Sequence, residues 1–221
     1  MGKRGSFALI VAGSPVPSSI ELVSQLAAQA KVVIAVDRGA IWCQRSGAVP
    51  TLLVGDEDTV SQSALAWARE HGVCELAFDP MKDDTDLSLA FRAIREQRLA
   101  APGEVVVTCA IGGRPDHALG VFGVLSKNAD LAPRLVEDGL ECRVLSPLGI
   151  PTWKFGAKAV GHTFSAVALA PTNAITERGM RWEVDHLPLR PLQDRALSNV
   201  IERPGASIAC DEGVIAAFLI D

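Results

Sequence analysis

The stretch KVVIAVDRGA, residues 31–40, decides how the chain is read. Val32 to Val36 are apolar without interruption, and Asp37 closes the run. A strand with one wet face alternates apolar and polar residues. An unbroken β-branched run instead suits a strand covered on both faces, as in a parallel sheet. Runs of the same texture lie on either side: FALIVAG (7–13), TLLVGD (51–56), VCELAFD (73–79) and EVVVTCAIGG (104–113). Helical periods separate them. SSIELVSQLAAQA repeats apolar residues at Ile20, Val23, Ala27 and Ala30, and SQSALAWAREHG ends on Gly72, a good helix stop. DLSLAFRAI places Leu87, Ala90, Phe91 and Ile94 on one face, and DHALGVFGVLSKN does the same with Ala118, Val121, Phe122 and Leu125.

This alternation predicts an α/β fold class, an N-terminal open and mostly parallel α/β sheet domain over residues 1–147. Beyond SPLGIP the long helical periods stop, and short runs appear between Gly, Pro and Asn. A smaller all-β sandwich domain is expected over residues 148–221. Its end, ASIAC, DEG and VIAAFLID, reads as a β-hairpin closed by Gly213.

A formal net charge of -5 argues against a nucleic-acid surface, while leaving room for a local basic pocket. The five cysteines are odd in number, widely spaced and never paired as CxxC, so neither a disulfide framework nor a zinc site is expected. Cys74 and Cys109 lie in apolar runs, where a thiol usually serves as a small core side chain. The apolar part of the N-terminus, Phe7 to Ala12, is too short for a signal peptide and reads as a first strand. No stretch approaches a membrane span. A cytoplasmic protein that binds neither membrane nor nucleic acid is the expectation.

Charged residues follow four of the five proposed strands. Asp37 ends the second run, Asp56, Glu57 and Asp58 follow the third, Asp79 and KDDTD (82–86) the fourth, and GGRPDH (112–117) the fifth. In an open parallel sheet, ligands bind beyond the carboxyl ends of the strands, so these groups converge on one edge. Asp56 and Asp58, two apart in extended backbone, project to one side, where their oxygens can approach a hard cation such as Mg²⁺. A solvated Asx-turn or a cap for the next helix explains the same pair. In KDDTD, Asp84 or Thr85 can cap the following helix, with Asp86 favoured by the dipole. Gly112 and Gly113 let backbone N–H groups approach a phosphate, and Arg114 offers a charged fork for its oxygens. Asp116 or His117 can cap the next helix, although a glycine turn with a surface arginine is also a common arrangement. Neither GxxxxGK[ST] nor a GxGxxG after the first run is present. Acids, a glycine turn and an arginine therefore point to polyphosphate chemistry on another scaffold.

The ordered set DRGA, GDEDT, KDDTDLSLAF and GGRPDH, with SN late in the chain, resembles the thiamine pyrophosphokinase family, whose pattern runs DGGA, GDxDS, KDxTD, GGRxDH and SN. The similarity spans nearly the whole chain and is looser in its second domain. It implies transfer of pyrophosphate from ATP to the hydroxyl of thiamine, giving thiamine diphosphate and AMP. It also implies an N-terminal domain for ATP and Mg²⁺, a β-sandwich domain for thiamine, and a homodimer with thiamine held at the subunit interface. Carried over by motif, Asp56, Asp58 and Asp86 are the metal-binding acids, with Asp83 contributing. Asp37, Gly112, Gly113, Arg114, Asp116 and His117 surround the nucleotide. No general base is assigned, since several acids are available.

In GMRWEVDHLPL, Trp182 stands either as a platform for a thiamine ring or as a packing aromatic of the sandwich core. LSNV matches the family's substrate-contacting pair at Ser198 and Asn199. The chain departs from the pattern at Arg38, where the family has a second glycine, and at Glu57, Thr59 and His162. Two other readings share part of the pattern: a pyrophosphokinase acting on a pterin-like alcohol, and a catalytically silent thiamine or nucleotide sensor.

Overall fold

The structure is a computed structural model that describes residues 5–55, 60–77 and 85–221. Asp56, Asp58 and Asp83, with Glu57, Thr59, Asp79 and Asp84, lie outside the described residues. The chain forms two compact units, Met1–Val124 and Leu125–Asp221.

In the first unit, β1 (Phe7–Val11), β2 (Ala30–Val36), β3 (Leu52–Gly55), β4 (Cys74–Ala77) and β5 (Val105–Thr108) alternate with α1 (Ile20–Gln29), α2 (Gly39–Ser46), α3 (Gln62–Glu70), α4 (Asp86–Glu96) and α5 (Pro115–Lys127). The strands run in the order β5-β1-β2-β3-β4, every pair parallel. All five residues of β1 are buried, as are Val32 to Val36 of β2, which is the burial that unbroken apolar runs require. Hydroxyl caps start three of the helices: Ser19 accepts from the Leu22 N–H, Ser61 from Ala64 and Thr85 from Ser88. The apolar face of α4 is buried at Leu87, Ala90, Phe91 and Ile94 as its spacing predicts.

Two features depart from the expected pattern. Helix α2 was not apparent from periodicity, because its buried residues, Gly39, Ala40, Trp42 and Cys43, crowd one short span instead of repeating as an apolar stripe. A side chain at Gly39 would place Cβ 2.0 Å from the Val11 carbonyl oxygen. In α5 only the C-terminal part of the stripe is covered: Leu125 is buried, Val121 and Phe122 are half-buried, and Leu119 is exposed. Val121 and Val124 instead wall a cavity.

The second unit holds β6 (Arg134–Glu137), β7 (Leu140–Leu145), β8 (Thr152–Lys154), β9 (Thr163–Ala168), β10 (Ala174–Arg178), β11 (Val184–Pro188), β12 (Asn199–Val200), β13 (Ser207–Glu212) and β14 (Ile215–Ile220). They form two antiparallel layers, β12-β9-β14-β7-β6 and β11-β10-β13-β8. Inward residues of both layers share one core that includes Trp153, Phe155, Phe164, Ile175, Ile208 and Ile215. The rings of Phe155 and Phe164 meet edge to face at 5.4 Å. The architecture is thus the expected α/β sheet followed by an all-β sandwich.

The hairpin expected at the C-terminus does not form. β13 pairs with β10 and β8, whereas β14 pairs with β7 and β9, so the intervening turn crosses from one layer to the other. A glycine turn reverses the chain equally well within a sheet or between two. Here Ile208 and Ile215 both face the core from opposite layers. Asn173 fixes the crossing, its Oδ1 accepting from the Val214 N–H at 3.1 Å. Cys74 is also exposed rather than in the core; the other four thiols are buried, and all five are free. No helix among the described residues is long and apolar enough to cross a membrane.

Gly213 has φ +84°, and a Cβ there would lie 2.2 Å from the Thr172 carbonyl oxygen. Gly139, between β6 and β7, has φ +68° with nothing within 4 Å. Gly139→Ala should therefore cost only the left-handed backbone term of about 1–2 kcal/mol, while Gly213→Ala should cost roughly twice that or more, because strain and overlap combine. Denaturant unfolding of both variants measures the difference. Equal losses would show that the close approach at Gly213 contributes nothing.

Candidate active site

Because β5, β1 and β2 are adjacent and parallel, the segments that follow them emerge at one edge of the sheet. They line a cavity of about 600 Å³ in the first unit. Ser14 and Pro15 come from the loop after β1, Asp37 and Arg38 from the end of β2, and Thr85 and Asp86 from the start of α4. Gly112, Arg114, Asp116 and His117 come from the turn after β5 and the first turn of α5. The structure therefore brings together Asp37, Asp86, Gly112, Arg114, Asp116 and His117. Gly113 is not part of the lining; its φ of +81° turns the chain, and a Cβ there would lie 2.9 Å from the Pro15 ring.

The local geometry explains several residue choices. Asp37 has φ +47°, and its N–H donates to the Val54 carbonyl at 3.0 Å. Its carboxylate rests against Gly55, where a Cβ would fall 1.9 Å from Oδ1. The β3 strand thus ends in glycine to admit the acid of its neighbour. Gly112 has a similar reason: a Cβ would lie 1.7 Å from the Val16 carbonyl oxygen. The Ser14 hydroxyl donates to the Gly112 carbonyl, tying the loop after β1 to the turn after β5. Ser14 escaped the sequence reading because its loop carries no charge and no phosphate-loop motif.

Charge in the cavity is mixed. The Arg114 fork is bidentate on Asp116, with Nε to Oδ1 at 3.0 Å and Nη2 to Oδ2 at 2.6 Å. That hydrogen bonding holds the Asp116 carboxyl well below the usual carboxylate range and raises the Arg114 guanidinium. Both side chains are exposed, so the pair adds little stability and can exchange partners readily. Arg38, half-buried and lining the same cavity, makes no ion pair among the described residues. Two guanidinium groups and the Asp37 and Asp86 carboxylates therefore share one concavity. This set suits a polyanion accompanied by a hard cation.

A second cavity, of about 290 Å³, lies within the β-sandwich unit. Trp182 lines it and is 58% exposed, so it is not a packing aromatic of the sandwich core. Asn199 lines it too but is buried, with its amide bonded to backbone; Ser198 is exposed, has φ +59°, and donates its N–H to the Ser165 hydroxyl at 3.0 Å. Glu177, absent from the sequence reading, lines the same cavity and is 2% exposed. Strand alternation marks it, since it sits two residues from the core residue Ile175 and shares its face. Burial pushes its carboxyl up to about 7, partly opposed by a hydrogen bond from Asn199.

A sequence model of the family described as thiamin pyrophosphokinase, catalytic domain, matches residues 23–136. Among solved structures, the chain resembles a thiamine pyrophosphokinase from Bacillus subtilis at TM-score 0.80 and 19% identity, over 97% of this chain and 98% of that one. A thiamin pyrophosphokinase family protein from Enterococcus faecalis aligns at TM-score 0.77 and 22% identity, over 98% and 99% of the two chains. A thiamin pyrophosphokinase from Candida albicans aligns at 0.78 and 16%, over 98% and 90%. At these identities the structures establish a shared fold. No curated protein matches the chain in sequence.

Folding raises the Glu177 carboxyl from 4.5 to about 7, so the folded protein holds a proton that the unfolded chain has released between those values. The associated stability is complete below about pH 4.5 and is lost as pH rises through 7. Glu177→Gln, neutral throughout, should therefore gain on the parent protein between pH 5 and pH 8 by on the order of 2–3 kcal/mol. Urea unfolding at several pH values measures this. A difference that does not change with pH would contradict the burial of an acid at this position.

Proposed function

The chain belongs to the thiamin pyrophosphokinase family, enzymes that move a pyrophosphoryl group from ATP to thiamine, and we infer that its strand-end cavity is where ATP and Mg²⁺ are held. The observation that carries this reading is the meeting of Asp37, Asp86, Arg38 and Arg114 in one concavity of about 600 Å³. That volume is within the range of small-molecule sites. The carboxylate oxygens of Asp37 and Asp86 are hard donors of the kind Mg²⁺ takes beside phosphate oxygens. Asp56, Asp58 and Asp83 are assigned to the same metal set by motif. A bound Mg²⁺ supplies charge neutralisation across the phosphates.

The chain's own residues do the positioning. Arg114 exchanges Asp116 for phosphate oxygens and stabilises charge that develops on the departing AMP. Arg38 adds a second cationic contact, and Gly112, in the turn that Gly113 closes, brings backbone close to the phosphates. The thiamine hydroxyl oxygen forms a bond to the β-phosphorus while the bond from that phosphorus to the α,β-bridging oxygen breaks. The electron pair leaves with AMP, and the hydroxyl proton is lost. Alignment and electrostatics account for the catalysis, as in phosphoryl transfer generally.

Trp182 offers a flat face suited to a ring of thiamine, whose thiazolium carries the positive charge, and Ser198 is assigned to the same substrate by motif. In this reading the α/β domain, residues 1–147, takes ATP and the β-sandwich domain, residues 148–221, takes thiamine. The protein acts in the cytoplasm as a homodimer, with thiamine held at the subunit interface.

Incubation with ATP, Mg²⁺ and thiamine, followed by mass spectrometry, should yield AMP and thiamine diphosphate in equal amounts. ADP with thiamine monophosphate, turnover only with a pterin-like alcohol, or no turnover would each contradict the reading. Asp86→Asn should lower kcat by about a hundredfold or more while leaving the circular dichroism spectrum unchanged. Arg38→Gln should raise KM for ATP by about tenfold and leave KM for thiamine alone. An unchanged KM for ATP would remove Arg38 from the phosphate site.

A further inference from the structure

Trp182 is 58% exposed, so packing does little to hold its ring at the mouth of the sandwich cavity. The Arg181 guanidinium, 5.7 Å from the ring centroid and paired to Glu202 at 3.1 Å, is a weak neighbour. What fixes the residue is its backbone. The Asn199 amide clasps it from both sides: Nδ2 donates to the Trp182 carbonyl at 2.8 Å, and Oδ1 accepts from the Trp182 N–H at 3.1 Å. The same Oδ1 accepts from the Val200 N–H at 2.9 Å. The remaining Nδ2 hydrogen goes to Glu177 Oε2 at 2.7 Å. Every hydrogen-bonding position of the amide is thereby used.

Glu177 itself is held under less favourable conditions. Its Oε1 is buried and has no hydrogen-bond partner among the described residues. A carboxyl placed in a sandwich core with one oxygen unsatisfied is costly, and an apolar side chain would pack there without that cost. Its one side-chain hydrogen bond among the described residues is the anchor for the Asn199 amide. Without it, the amide would keep an unpaired donor and be held only by the backbone it is meant to hold.

We propose that Glu177 is a positioning residue for the acceptor substrate: through Asn199 it sets the backbone of Trp182 and hence the orientation of the exposed indole over the cavity. The proposal rests on the reading of Trp182 as the surface that takes thiamine. It assigns Asn199 to the same task, as the link between the buried carboxyl and the indole rather than as a direct contact. Glu177 is not among the residues that line the nucleotide cavity, and the role proposed for it bears on thiamine alone.

The test compares Glu177→Ala, Glu177→Gln, Asn199→Ala and the Glu177→Ala/Asn199→Ala double variant in steady-state kinetics. Binding of thiamine in the presence of Mg²⁺ and α,β-methylene-ATP is measured beside it by calorimetry. Glu177→Ala should raise KM and Kd for thiamine by about tenfold while KM for ATP stays within about twofold. Glu177→Gln, whose carbonyl still accepts from Asn199, should restore most of the affinity. The double variant should lose no more than Asn199→Ala alone, because the two residues act in series. A Trp182→Phe difference measurement of fluorescence anisotropy, made without ligand, should show a more mobile indole in Glu177→Ala. Unchanged thiamine affinity in Glu177→Ala, with the parent protein binding thiamine normally, overturns the role of Glu177. A fall in affinity for both substrates, or additive losses in the double variant, overturns it as well. A parent protein that binds no thiamine overturns the reading of the Trp182 surface on which the proposal stands.

Discussion

Strand direction is the constraint on which the first unit depends. β5, β1 and β2 run side by side and parallel, so the residues that follow them leave the sheet at one edge. Parallel strands need covered faces, and continuous apolar runs such as Phe7 to Val11 meet that need. The charged groups of the cavity appear where the strands end. The edge then becomes crowded, and glycine resolves the crowding. Gly55 admits the Asp37 carboxylate, Gly39 passes the Val11 carbonyl, and Gly112 lies against the Val16 carbonyl. These glycines let the acids and the arginines of separate strands share one concavity.

The sandwich unit solves a different problem with a different device. Its layers bury one aromatic and aliphatic core, and Asn173 fixes the turn by which the last two strands change layers. An exposed indole at its cavity cannot be positioned by that core. A buried polar pair, Glu177 and Asn199, holds the Trp182 backbone instead. Buried polar groups in this setting are unfavourable singly and specific together, since each satisfies what the other would leave unpaired.

Much of this was legible in the residues themselves. The unbroken runs identified parallel strands, and the acids, arginine and glycines that follow them marked the functional edge. The remainder depended on contacts that periodicity does not encode. Helix α2 buries Gly39, Ala40, Trp42 and Cys43 within one short span, so it carries no repeating apolar stripe. β13 and β14 look like partners because a glycine turn joins them, and only the pairing of each with other strands separates them. The β6–β7 turn did have a signal, Asp138-Gly139, which favours a tight reversal. Glu177 also had one: alternation along β10 sets it on the same face as Ile175. Ser14 had none, since its role comes from the carbonyl of a glycine 98 positions away.

The central claim is that the strand-end edge holds the polyphosphate, with Arg114 released from Asp116 to meet it. A crystal structure with Mg²⁺ and α,β-methylene-ATP, which resists cleavage at the reacting linkage, tests this most directly. The account predicts phosphate density within hydrogen-bond distance of the Arg114 guanidinium, a cation bound by the Asp86 carboxylate, and a broken Arg114–Asp116 pair. Nucleotide bound elsewhere, or phosphates in the cavity with Arg114 still on Asp116 and no cation at Asp86, would contradict it.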